Sequence, residues 1–82
     1  MRDINKLQYN IMLFVEEWAH KEKTPIPRQE IVKGMGKKGV KSFTAINAIN
    51  SLLKKGYIRR AIVISNKTYY VMLRSIDKDR EY

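Results

Sequence analysis

Ile49-Asn50-Ser51-Leu52-Leu53-Lys54-Lys55-Gly56-Tyr57-Ile58 is where this chain changes its period. Up to Lys55 the apolar residues recur at helical spacing. After Gly56 they crowd into Tyr57-Ile58-Arg59-Arg60-Ala61-Ile62-Val63-Ile64, which is dense in β-branched side chains. Glycine at the junction accepts the left-handed conformation that closes a helix at C′. Ser65-Asn66-Lys67-Thr68 has turn composition, and Tyr69-Tyr70-Val71-Met72-Leu73 returns as a second strand. The expectation is a helix running directly into a β-hairpin. The turn lacks an Asn-Gly pair, so Asn66, which tolerates positive φ, is expected to start a two-residue loop.

Working back toward the N-terminus, Ser42 is the natural N-cap of that helix, which runs to Lys55. Successive residues at ~100° intervals put Ala45, Ile46, Ala48, Ile49, Leu52 and Leu53 on one side and Phe43, Thr44, Asn47, Asn50, Ser51 and Lys54 on the other. A glycine-punctuated, lysine-rich turn precedes it. Before the turn, Pro27 leads into a short helix over about 28–35, with Ile31 and Val32 inward, Glu30 near its positive start, and Gly34 and Gly36 ending it. Thr24-Pro25-Ile26-Pro27 breaks the chain from a first helix over about 4–21, whose apolar face is Ile4, Leu7, Ile11, Phe14, Val15 and Trp18.

Helix, helix, helix and hairpin, with a tight turn between the second and third helices, is the order of an α+β winged helix-turn-helix. Three stretches carry a more specific likeness. They are Gln8-Tyr9-Asn10-Ile11, Pro25-Ile26-Pro27-Arg28-Gln29-Glu30-Ile31, and the 49–58 segment quoted above. Across about residues 4–73 the chain resembles the DNA-binding domain of LexA-type repressors and, more broadly, the small winged-helix regulators of bacteria, archaea and their viruses. The resemblance implies a third helix in the major groove and a hairpin wing on the flanking backbone or minor groove. It does not carry over the self-cleaving protease half of LexA-type repressors. Nor does it carry over a target sequence, because Phe43, Thr44 and Ile46 stand where the family's reading residues lie. Residues 1–73 read as one domain and 74–82 as a charged tail.

Charge patterning points the same way independently. Between Glu30 and Asp77 there are ten Lys and Arg residues and no Asp or Glu, so the net charge of +9 is segregated along the chain rather than mixed. A stretch stripped of carboxylates suits a polyanion. On the outer side of the third helix, Asn47 and Asn50 are suited to adenine edges, Ser51 and Thr44 to base edges or phosphates, and Phe43 to a thymine methyl, with Lys54 as the cation. Ordinary exposed helix faces favour Glu and Lys instead. Lys37, Lys38, Lys41 and Ser42 around the turn, and Arg28 with Gln29 at the second helix's start, are expected to hold phosphates and set position rather than sequence. Asn66 and Lys67 occupy the wing tip. Arg59 and Arg60 alternate, so one of them, Arg60 in this reading, points at the nucleic acid unless a bulge intervenes.

Other functions find less support. At 82 residues the chain has room for one modest core, burying a little over ~60% of its unfolded surface, and an elaborate catalytic cleft is not expected. There is no cysteine and a single histidine, His20, which excludes a disulfide framework and a Cys/His zinc site. Glu16 and Glu17 diverge by ~100° on a helix and form no acid/base pair. Gly34-Met35-Gly36-Lys37-Lys38-Gly39 matches the GxGxxG pattern, but that motif needs a preceding strand and here a helix precedes. The glycines are instead expected to permit the turn. No enzyme activity, metal, cofactor or small-molecule ligand is expected. With no apolar run of membrane-spanning length and no signal-peptide pattern after Met1, the expected location is cytoplasmic.

Tyr9, Met12 and Leu13 fall off the main apolar face of the first helix and are expected to form a homodimer interface, the alternative cover being the tail through Ile76 and Tyr82. The expectation is a homodimeric, sequence-specific binder of double-stranded DNA, a small transcriptional regulator or repressor. Two alternatives stand beside it: a winged-helix module for RNA or a protein partner, and a non-specific architectural or replication protein. Single-strand binding would need exposed stacking aromatics, for which Phe43, Tyr69 and Tyr70 are the candidates.

Overall fold

Asn5 fixes the start of the first helix, α1 (Lys6–Glu22). Its side chain accepts from the Gln8 amide at 2.8 Å while Gln8 Oε1 accepts from the Asn5 amide at 3.2 Å, a reciprocal capping box. The helix ends at Lys23, whose amide reaches the Ala19 carbonyl from a left-handed conformation with φ 57°. These details come from a computed structural model that describes residues 4–74. The tail positions Ile76 and Tyr82 lie outside the described residues.

Three helices and a three-stranded antiparallel sheet make up the α+β domain, a layout compatible with a winged helix. After α1 come β1 (Ile26–Pro27), α2 (Arg28–Gly36), α3 (Ser42–Lys54), β2 (Ile58–Ile64) and β3 (Lys67–Met72). The sheet order is β1-β3-β2, so among the described residues β3 is central and β2 pairs on one side only. β1 is an addition to the sequence reading, which took 24–27 only as a break. Proline favours extended backbone before and at its own position, and here that backbone pairs Ile26 with Tyr70 and Pro27 with Tyr69.

The junction at Gly56 forms as its residues require. Gly56 adopts φ 81°, its amide bonds the Leu53 carbonyl at 3.2 Å, and the Tyr57 amide bonds Leu52 at 3.0 Å, the pairing of a Schellman motif. At the other end of α3 the N-cap is Lys41 rather than Ser42. Lys41 is extended, and its carbonyl already accepts from the Ala45 amide at 3.0 Å, which makes Ser42 the first helical residue. Gly34 does not end α2 but lies inside it, and only Gly36 is terminal.

The hairpin turn is Ser65-Asn66, both at positive φ (51° and 65°), with Ile64 paired to Lys67 across it. The loop therefore begins one residue earlier than expected, and Lys67 is the first residue of β3. Between Arg60 and Ile62 the register slips by one residue, a β-bulge at Ala61.

The core gathers Ile11, Met12 and Val15 of α1, Ile31 and Met35 of α2, Ala45, Ile49 and Leu52 of α3, and Ile26, Ile58 and Tyr70 of the sheet. Met12 is fully buried, against the expectation of an exposed patch. The buried set on α1 is Gln8, Ile11, Met12 and Val15, a stripe rotated by roughly 60° at ~100° per residue from the one that apolar spacing alone suggests. Gln8 caused the misreading. It is polar, yet only 6% exposed, because Oε1 is satisfied by the Asn5 amide and by Lys55 Nζ at 3.1 Å.

Candidate functional site

The outward side of α3 is open to solvent. Phe43 is 65% exposed, Asn47, Asn50 and Lys54 are exposed, and Thr44 and Ser51 are half-buried. Ala45, Ala48, Ile49 and Leu52 anchor the opposite side in the core, with Ile46 and Leu53 half-buried at its margins. Core packing therefore fixes which side chains of α3 face solvent. No carboxylate stands on the helix.

The helix starts differ in a way that bears on anions. α1 is closed by its capping box, whereas neither α2 nor α3 has any side-chain cap on its first amides. Uncapped helix amides carry the positive end of the helix dipole and are suited to a phosphate oxygen. Exposed Lys41 and Ser42 stand at the start of α3, and Arg28 and Gln29 at the start of α2. Gly39, at φ 86°, turns the chain between the two helices and leaves Lys37 and Lys38 exposed.

The wing tip meets the start of α2. Arg28, Gln29, Asn66 and Lys67 line one concavity of about 170 Å³ with Pro27 and Thr68. Arg28 is also tied inward, its Nε donating to the Tyr70 hydroxyl at 3.0 Å. The sequence had assigned these four residues separately, to a helix start and to a wing. The short strand β1, pairing beside β3, brings them together.

Two further placements differ from the acid-free stretch read along the chain. Lys37 and Lys38 border a groove of about 470 Å³ with Lys33, Glu17 and Glu30, so in space these lysines have carboxylates for neighbours. Lys55 bonds Gln8 and is part of the fold. Arg59 and Arg60 are both exposed, and their alternation holds, because Arg59 opposes Val71 and Arg60 opposes Tyr70 on the two faces of the sheet. Tyr70 is fully buried and cannot stack on a base, which removes one of the three single-strand candidates.

Of the three residues expected to form a dimer interface on α1, Met12 alone is withdrawn from the surface. Met12 is in the core, Tyr9 is half-buried against it, and Leu13 lies in the groove beside Phe14. His20 is on the surface, 3.9 Å from Glu16. Among the described residues no three His, Cys, Asp or Glu come together as a metal-binding group, and no helix is long and apolar enough to cross a membrane.

Sequence reasoning missed the apolar character of the wing. Ile62, Val63 and Ile64 are 47%, 61% and 51% exposed. Their run of β-branched residues was a correct strand signal, but it carries no indication that the strand projects beyond the core. Compared with known protein families, curated proteins and solved structures, the chain matches none.

Proposed function

We propose that this chain is a winged helix-turn-helix module that binds double-stranded DNA with sequence preference and acts as a small transcriptional regulator. The observation that carries the reading is the outward side of α3. Phe43, Asn47, Asn50 and Lys54 are exposed together on a helix with no acid, held in place by a core-facing side of Ala45, Ala48, Ile49 and Leu52. Asn47 and Asn50 match the donor and acceptor pair of adenine in the major groove, and Lys54 matches a phosphate or guanine. Lys41, Ser42 and the uncapped start of α3 hold the adjacent phosphates, and Arg28, Gln29, Asn66 and Lys67 hold the flanking backbone.

Selection from random duplexes in the presence of single-stranded competitor tests this directly. The expected result is a recovered short motif bound at least ~10³-fold more tightly than random duplex. Recovery of single strands, or of duplexes with no shared motif, would assign the surface to RNA, to a protein partner or to non-specific coating.

A further inference from the structure

We infer that the wing is an apolar wedge that enters the DNA minor groove and bends the duplex. The inference rests on the duplex-binding reading above and adds a mechanical role to the hairpin. Ile62, Val63 and Ile64 project from β2, the outer strand among the described residues, each about half exposed or more. The bulge at Ala61 sets their directions. Ile62 opposes Tyr69 and Ile64 opposes Lys67, so these share the face of Arg59 and Val71, whereas Val63 opposes Thr68 on the face of buried Tyr70. The strand leading to the tip therefore exposes apolar side chains on both faces, and a surface lying against one side leaves the other in water. A groove with two walls covers both.

Charge complementarity chooses the occupant. Arg59, Arg60 and Lys67 flank the apolar triplet, all three are exposed, and neither wing strand contains a carboxylate. A second copy of the wing, pairing edge to edge, would set cations against cations with nothing to neutralise them. The minor groove supplies phosphates along both rims and sugar and base edges within. Branched aliphatic side chains there act as wedges that unstack a base step and kink the helix. Flexible pyrimidine–purine steps deform at the least cost.

The test uses the whole chain and an end-labelled A·T-rich duplex of about 30 base pairs with a central TA step, read by energy transfer between its ends. Wild type is expected to raise transfer on saturation. The triple variant Ile62→Thr/Val63→Thr/Ile64→Thr keeps β-branched residues at exposed positions, so its thermal unfolding is expected to match wild type. It is expected to bind the same duplex without the rise in transfer. Binding by wild type with unchanged transfer, or equal bending by the variant, would overturn the wedge while leaving duplex binding intact. Sedimentation of the free protein as a dimer that the variant splits, or capture by phosphatidylserine vesicles that the variant loses, would also overturn it and assign the tip to self-pairing or to a lipid surface. If wild type binds no duplex at all, the proposed function itself falls.

Discussion

Arg28 donates from Nε to the hydroxyl of Tyr70 across 3.0 Å, linking the first residue of α2 to a fully buried ring in the middle strand of the sheet. A long cation at the rim of the candidate interface is thereby held to the core rather than left to sample rotamers. Tyr70→Phe removes the acceptor and leaves the ring in place. It is expected to cost about 1 kcal/mol in urea unfolding. Duplex affinity should fall a few-fold on every sequence alike, because Arg28 positions the protein and reads no base. A changed sequence preference in this variant would mean that Arg28 contacts a base edge.

Gly34 supplies a prediction opposite to the usual rule. Glycine to alanine inside a helix ordinarily stabilises by about 1 kcal/mol. Here a Cβ at Gly34 would lie 2.7 Å from Phe14 Cζ and 2.8 Å from Cε1, so the added methyl meets the Phe14 ring where α1 and α2 pack. Gly34→Ala is expected to destabilise by about 1 kcal/mol or more. In a Phe14→Leu background the same change should become neutral or stabilising, and chemical denaturation of the four proteins in that cycle measures the coupling. Additive effects would show that the ring swings aside freely.

Lys23 holds φ 57° at the end of α1, a conformation that costs a non-glycine residue about 1 kcal/mol. Lys23→Gly gives up some unfolded-state advantage but relieves that cost. The expected gain is about 0.5 kcal/mol, a rise in Tm of roughly 2–4 °C in a thermal melt. A lower Tm would show that the Lys23 side chain contributes more than its backbone costs.

How far the sequence carries can be judged from these same residues. The change of period at Gly56, the two-sided pattern of α3 and the proline-led start of α2 were legible because each rests on local rules: capping, periodicity and fixed φ. Met12 was not legible, since the buried side of α1 also includes Gln8, a polar residue hidden by hydrogen bonds from Asn5 and from Lys55, 47 positions away. Gly34 read as a helix end because its reason for being glycine is Phe14 on another helix. The grouping of Arg28 and Gln29 with Asn66 and Lys67 depends on β1, a two-residue strand too short to leave a periodic signal. The nearness of Lys37 and Lys38 to Glu17 and Glu30 is likewise a product of helix packing that no linear charge count reveals.

Salt dependence separates phosphate contact from other attraction. If one chain neutralises about four phosphates, log K for duplex should fall with log salt at a slope near roughly −3.5. Lys41→Ala, at the start of α3, should make the slope shallower by about 1. A slope near zero would mean that the cations meet something other than a phosphate backbone.

The central claim is that the outward side of α3 reads sequence, and Asn47 is its most direct test. Asn47 is exposed and lies opposite the core-facing side of the helix, so Asn47→Ala leaves packing untouched and thermal stability should change little. Titration of wild type and this variant against the selected duplex and a scrambled one gives a single number, the ratio of the two affinities. The ratio should collapse by about 5- to 150-fold in the variant, equivalent to about 1–3 kcal/mol of lost discrimination, with binding to the scrambled duplex nearly unchanged. An unchanged ratio, with both duplexes weakened together or neither affected, would contradict base reading by α3.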